Sequence, residues 1–460
     1  MTLLTSLFSA ENRAFLQKLC RLAVPVSIQA MMFSVLGLID IVMVGHLGET
    51  AVAAVGLGNR IFFFNLILTS ALGSGMSVLA SQFIGAGDNG GLRRTLCQAL
   101  LTAVLVNIPF IAAYMLVPEQ IAAMASSDAG LLEFAVIYIL ITAPSIFCTA
   151  VVVPIEAALR ASGDTKTPTW IGFYAILVNI VLNYLLIFGA FGFPEMGVAG
   201  SAWGTALSRL FHTIALILYM RKNRQFLIPT KDDARKAFKK EDLLRFFHVS
   251  WPMILQDGSW AFGVIFYNLI YARMGVNELA IMSAVSAIES ILMSLFIGFG
   301  VGCSIILGQE LGAKRFDQAW KQGFTVMGIA PLVALLVGLM LVLFRADIVT
   351  LFGRFDSGTL TLAEQVMLVS GMVLMIRVIN FTGIIGLLRS GGDVRFTAVL
   401  NVVAAWCVGL PLTWLGAVVW NLPLYLVFLC SVSEEIVKMV MVVWRIRSRR
   451  WLRNLVSSPE

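Results

Sequence analysis

Apolar runs long enough to cross a bilayer recur along this chain about twelve times, and nothing else in the sequence narrows the fold as much. A membrane-crossing helix takes about 20 mostly apolar residues. Its backbone polar groups must be satisfied within the helix, because hydrocarbon offers no partners. The runs fall at 18–44, 52–84, 92–117, 130–158, 167–190, 197–221, 243–271, 278–307, 317–344, 361–388, 395–419 and 422–444. They are too long and too continuous for barrel strands, which alternate in short segments. Composition agrees: only 13% of residues are charged, about half the share of a soluble domain. The prediction is an all-α membrane protein of about 12 transmembrane helices. The N-terminal stretch carries polar residues through its first turns and no small-residue cleavage pattern, so the first helix is expected to act as its own signal.

Charge gives the expected orientation. Of the 33 Lys and Arg residues, 27 fall in the termini and even-numbered loops or in the helix ends that flank them. Four fall in odd-numbered loops or toward the helix ends beside them (Arg60, Arg273, Arg345, Arg354), and two, Arg209 and Arg377, lie deeper within helices. Positive charge stays on the cytoplasmic side, so both termini and the basic loop after residue 221 are expected there, in a bacterial inner membrane. The net charge of +7 thus reads as topology, and no nucleic-acid motif accompanies it. The loop serves as anchor and linker, with contact to anionic lipids as a second role.

The chain also resembles itself. With Pro25 laid on Pro252, Gln29 meets Gln256, Gly73 and Gly75 meet Gly300 and Gly302, and Gln82-Phe-Ile-Gly-Ala meets Gln309-Glu-Leu-Gly-Ala. At a slightly longer offset, Leu159-Arg-Ala-Ser-Gly-Asp meets Leu388-Arg-Ser-Gly-Gly-Asp. Six crossings return the chain to its starting side, which predicts two parallel six-helix repeats. The expected domains are an N-terminal lobe, 1–221, a linker, 222–242, and a C-terminal lobe, 243–460. Proteins so built carry solutes along a path between the repeats.

An ionisable residue inside a membrane helix is costly and marks function by default. Asp40, in SVLGLIDIVMVG, has no Lys or Arg within helical reach on its own helix. A carboxyl group there can exchange a proton near neutral pH, and its charged form would attract a cation. The repeat puts Tyr267 at the equivalent place. Pro25 stands about four helical turns earlier and is a candidate bend. Asn179 and Asn183 are one turn apart and share a face, so two buried amides need partners there. Glu156, Asp257 and Glu289 are secondary candidates. Glu156 lies four residues before Arg160, where a local ion pair explains it as well as function does. Asp257, Glu289, Arg209 and Arg377 could pair among themselves. Glu434, Glu435 and Lys438 read as a structural cluster. His46, His212 and His248 read as isolated loop or interfacial residues. Gly200-xxx-Gly204 and Gly298-xxx-Gly302 predict close helix packing. The six scattered cysteines give no metal or disulfide pattern. No P-loop and no nucleophile triad is found, so the chain is expected to be neither an enzyme nor an ATP-driven pump, and to need no cofactor beyond a coupling ion.

These features together resemble the multidrug and toxic compound extrusion (MATE) transporters over nearly the full length. The carrying segments are Pro25…Asp40-Ile-Val-Met-Val-Gly-His-Leu-Gly, Ala51-Val-Ala-Ala-Val-Gly-Leu-Gly, Gln82-Phe-Ile-Gly-Ala-Gly, Leu159-Arg-Ala-Ser-Gly-Asp-Thr-Lys-Thr-Pro168 and Gly197-Val-Ala-Gly-Ser-Ala-Trp203. The resemblance implies a V-shaped fold of six plus six helices and cation-driven export of amphipathic, often cationic drugs. It is strongest to the DinF-like bacterial branch. There the position of Asp40 is the protonation site, that of Pro25 the bend, and that of Ser201 a hydroxyl lining the N-lobe pocket. The branch often carries Asn-xxx-Asp on helix 5, where this chain has Asn179-xxx-Asn183, which leaves Asp40 more nearly the sole coupling group. The sodium-linked NorM-like branch carries two C-lobe carboxylates whose positions here hold Trp260 and Val378.

The expectation is a proton-coupled antiporter for cationic or amphipathic drugs, in contact with membrane lipids and acting as a monomer. Sodium is the alternative coupling ion, with Asp257 keeping that option open. A lipid-linked glycan flippase of the same superfamily is the main rival, although it should carry more positive charge in its cavity than Arg209 and Arg377 supply. A membrane enzyme or channel is the rival from another class.

Overall fold

A computed structural model describes residues 10–350 and 357–457, so Arg354 lies outside the described residues. Every long predicted run is helical: α1 (Ala10–Gly45), α2 (Glu49–Ala86), α3 (Asn89–Leu116), a short α4 (Pro118–Ala123), α5 (Ala129–Thr142), α6 (Ser145–Ala161), α7 (Lys166–Phe188) and α8 (Gly197–Asn223). After a short α9 (Lys231–Ala237) come α10 (Lys240–Met274), α11 (Val276–Gly312), α12 (Phe316–Leu343), a short α13 (Arg345–Thr350), α14 (Gly358–Leu388), α15 (Val394–Val419) and α16 (Leu424–Arg447). No strand is found among the described residues.

Eight of these helices are long and apolar enough to cross a membrane, and α5 with α6, bent by 49°, make a ninth span. The bend falls at Ala143-Pro144, where proline lacks the donor that would continue the helix. Three more of the twelve predicted spans, α8, α10 and α16, are long helices that miss that mark because they carry polar residues in mid-length: Arg209 and His212, Asp257, and Glu434, Glu435 and Lys438. Large apolar side chains point outward in number, among them Val42, Leu336 and Met372, each more than 60% exposed. In water such a surface would aggregate; against lipid it is the expected one.

The internal repeat recurs in backbone geometry. Helix α2 ends with Gly87 at φ 74°, and α11 ends with Lys314, its repeat equivalent, at φ 60°. Both close the same way: Asp88 N–H donates to the Phe83 carbonyl and Arg315 N–H to the Glu310 carbonyl, each at 2.9 Å. This is the usual left-handed helix ending, at which lysine is less at ease than glycine. Gly163 (φ 86°) and Gly392 (φ 74°) repeat the pattern at the ends of α6 and α14. The aspartate after each holds an arginine at the end of the last helix of its own half: Asp164 with Arg224, just past α8, and Asp393 with Arg445 in α16.

The chain forms two compact units, residues 28–254 and residues 1–27 with 255–460. Their boundaries, 27/28 and 254/255, stand at equivalent places in the repeat, each just beyond a proline, Pro25 or Pro252. The first part of α1 therefore belongs with the C-terminal helices, and the first part of α10 with the N-terminal ones. Small residues make room for both. A Cβ on Gly302 would come within 3.3 Å of Ala23 N, and one on Gly75 within 2.3 Å of Ser250 Oγ. Gly75 and Gly302 are repeat equivalents, and so are Ala23 and Ser250. A Cβ on Gly298 would meet the Ala23 carbonyl oxygen at 2.1 Å, so the Gly298-xxx-Gly302 pattern packs against α1 as expected.

The segment between α8 and α10 is docked rather than loose. Thr230 and Asp233 cap α9 reciprocally. Asp233 also accepts from Arg93 at 2.6 Å, and Gln98 donates to the Ala237 carbonyl oxygen at 2.7 Å. Burial disfavours the Asp233 carboxylate, but the bonds from Thr230 and Arg93 outweigh it and hold the group down at about 2.

Candidate functional site

The close approach of α7 and α8 builds the site. A Cβ on Gly200 would sit 2.3 Å from the Leu186 carbonyl oxygen, and one on Gly204 would sit 2.1 Å from Asn183 Oδ1. The bare glycine face of α8 thus lies directly on the face of α7 that carries the two amides. Asp40, in the last third of α1, completes the cluster. Asn183 Nδ2 donates to Asp40 Oδ1 at 2.8 Å and to Asn179 Oδ1 at 3.3 Å. Asn179 Nδ2 donates in turn to Ser208 Oγ at 3.4 Å, and Ser208 to the Thr205 carbonyl oxygen at 2.9 Å. The result is one chain of hydrogen bonds from a carboxylate through two buried amides to a hydroxyl.

Asn183 spends both amide protons on acceptors, which fixes its orientation. Its Oδ1 is then left buried with no hydrogen-bond partner. A buried acceptor without a donor costs about 1–3 kcal/mol, so this oxygen marks where a further donor or cation would be welcome. Ser201, buried on α8, lies seven residues before Ser208 and so on the same helix face. Arg209, one residue beyond Ser208, donates to Thr149 Oγ1 at 2.8 Å and interacts electrostatically with Asp40. Tyr138 donates to Asn59 at 3.0 Å beside them.

A second buried polar group lies in the same unit. Gln29 Nε2 donates to Glu156 Oε1 at 2.9 Å, and Arg160 bonds both Glu156 Oε2 and Gln29 Oε1. His212 Nε2 stands 3.4 Å from Glu156 Oε1. The i,i+4 pair expected for Glu156 and Arg160 is present, with two further partners.

In the other unit the secondary candidates are paired. Asp257 meets Arg389 at 2.8 Å, and Glu289 meets Arg377 at 2.6 Å and Ser370. Lys438 is shared by Glu434 (3.0 Å) and Glu435 (3.3 Å), so this buried lysine is no loop charge. Tyr267, at the repeat position of Asp40, donates to Glu434 at 3.0 Å. Asn380 donates to Glu435 at 2.6 Å.

Two expectations change. Arg209 does not join Asp257, Glu289 and Arg377: it lies in the other unit with Thr149, because helices α6 and α8 face each other there. His212 is no interfacial residue but is buried in mid-helix beside a carboxylate; an isolated histidine in sequence gives no hint of a partner two helices earlier. His46, at the end of α1, packs edge-on against Phe188. Sequence alone does not single out Ser208, Thr149 or Gln29 as site neighbours. The spacing Ser201-xxx-Thr205-xx-Ser208, a hydroxyl stripe on one helix face, is the signal available for the first.

Comparison with known proteins follows the same outline. The MatE family model matches residues 25–185 and again 252–415, the two matches starting at Pro25 and Pro252. The chain is 24% identical over 456 residues to the uncharacterized transporter YisQ of Bacillus subtilis, covering 98% of each chain. It is 23% identical over 452 residues to the probable multidrug resistance protein NorM of Thermotoga maritima, covering 96% of this chain and 95% of that one. Its fold matches that of a multidrug resistance MATE family transporter of the MOP superfamily solved in an outward-facing conformation, with TM-score 0.85 and 19% identity, over 94% of this chain and 96% of that one. With two family matches in register with its own repeat and an all-helical fold to match, this chain belongs to the MATE family of membrane transporters.

Proposed function

We propose that the protein is a secondary active efflux antiporter of the DinF-like kind, exporting cationic or amphipathic compounds in exchange for protons, with Asp40 as the coupling carboxylate. The observation that carries this is the hydrogen-bond chain Asp40–Asn183–Asn179–Ser208 with the unpartnered Asn183 Oδ1 beside it. When Asp40 is charged, it accepts from Asn183. When Asp40 is protonated it becomes a donor, and turning the Asn183 amide over presents Oδ1 to it. Protonation thus gives the stranded oxygen a donor while the amide gives up its bonds to Asp40 and Asn179, so both amides rearrange, which ties proton uptake to the shape of the site. The charged form offers a single negative charge to a cationic substrate, so proton and substrate compete for one group.

Pro25 supports a bend in α1: it lies in the helix interior, just before the boundary between units. The basic segment between α8 and α10 and both termini lie on the cytoplasmic side of the inner membrane in this account. The expected behaviour is transport by a monomer in proteoliposomes under an imposed pH gradient alone, lost in Asp40→Asn. Transport that needs sodium, or that survives the loss of Asp40, overturns the assignment and directs attention to Asp257 and Glu289.

A further inference from the structure

The site above leaves the buried His212 and Glu156 unused. Gln29 precedes Asp40 on α1 by the same interval as Gly172 precedes Asn183 on α7, three helical turns in each case. At 1.5 Å per residue both intervals are about 16 Å, so the Gln29–Glu156–Arg160–His212 cluster forms a lower tier of the same polar column. A Cβ on Gly172 would lie 3.3 Å from Gln29 Nε2 and 4.0 Å from His212 Cε1, which places the lower tier against α7 as well. Helix α8 supplies a residue to every tier: Ser208 above, Arg209 between, His212 below. Residues three apart on a helix are neighbours, so Arg209 adjoins both tiers.

We propose that His212 is a second proton-binding site of the N-terminal lobe, linked to Asp40 through Arg209; this deepens the antiport account and rests on it. His212 is buried, and its Nε2 stands 3.4 Å from Glu156 Oε1, at the long limit of a hydrogen bond. Proton uptake makes both ring nitrogens donors, and the contact between Nε2 and the Glu156 carboxylate becomes a charge-assisted bond. The groups facing His212 are Glu156 and Arg160 from α6, Gln29 from α1, Gly172 from α7 and Arg209 on its own helix. From α5, Tyr138 interacts with Arg209. Glu156 and Arg160 cancel, so a proton on His212 takes the lower tier from neutral to +1. That charge is easiest to carry while Asp40 is negative and offsets Arg209. A proton arriving at Asp40 removes the offset and favours release from His212. The two sites therefore load in opposition, as a relay requires.

The chain has three histidines, so His46→Asn with His248→Asn leaves His212 as the sole imidazole for nitrogen-labelled NMR of the full-length protein in nanodiscs. The expected result is an imidazole that changes protonation state across the pH series and holds its proton less readily in Asp40→Asn. In transport, His212→Gln narrows the pH profile. An imidazole that stays in one protonation state from pH 5 to 9, or a curve that ignores Asp40→Asn, overturns the proposal. Because the titration is read without transport, it separates failure of His212 from failure of Asp40 as the coupling group.

Discussion

Replacing Gly204 by alanine should disable the Asp40 cluster without touching any group that binds or carries a proton. The new Cβ would lie 2.1 Å from Asn183 Oδ1, where ordinary contact begins at 3.4 Å, and 3.2 Å from the Asn183 backbone nitrogen. The amide must therefore move by roughly 1 Å to regain van der Waals separation. Asn183 is fully buried, and its 2.8 Å bond to Asp40 cannot absorb that movement in either direction. A contact stretched to about 3.6 Å no longer counts as a hydrogen bond. A hydrogen bond to a charged group is worth about 1.5–3 kcal/mol, which corresponds to about a ten- to hundredfold loss in the proton-coupled step. Overpacking adds about 1–3 kcal/mol of destabilisation. Gly200→Ala is the control: its Cβ meets the Leu186 backbone and not Asn183, so it should lower thermal stability while leaving the pH dependence of transport in place. The assay is drug uptake into inverted vesicles across a pH series, with melting followed in detergent. If Gly204→Ala transports at the wild-type rate with the wild-type pH profile, Asn183 does not orient Asp40 for coupling.

Three further outcomes follow from the same contacts. Asn183→Asp sets a second carboxylate against the first; like charges that close retain a shared proton to higher pH, so the transport optimum should move alkaline, and an acid shift would contradict the arrangement. Arg377→Met strands the Glu289 carboxylate and should cost about 3–5 kcal/mol, most of it recovered in the double variant with Glu289→Met; a thermal melt of the three proteins decides. Asp233, held at about 2 when folded against about 3.9 when free, favours docking of the α9 segment above about pH 4, and this contribution is lost as pH falls through 2. At pH 7 Asp233→Asn should speed hydrogen exchange across residues 229–240, and the difference from wild type should vanish in acid.

How much of this is legible in the sequence depends on the range of the interaction. The helices, the repeat and the family follow from local apolarity and from residues such as Gly87 and Gly163, whose backbone role is fixed within a turn. Gly200-xxx-Gly204 predicts a close contact, but not that the contact is with Asn183. Asp40, Asn179 and Asn183 stand out because polar groups are costly in hydrocarbon. Their bonding to one another cannot be read, since it depends on how α1, α7 and α8 pack. The same holds for His212 and Glu156, which sit on different helices. The assignment of the first part of α1 to the C-terminal unit is also beyond the repeat alone, because a repeat specifies equivalence and not which copy an element joins.

In the proposed cycle one carboxylate exchanges proton for substrate. Proteoliposomes enclosing a pH-sensitive dye, given an imposed drug gradient with no sodium present, test it most directly. Exchange at Asp40 gives drug-driven proton movement in the opposite direction for wild type and none for Asp40→Asn. Drug movement by wild type with no change in lumenal pH, or equal proton movement in the variant, would contradict it.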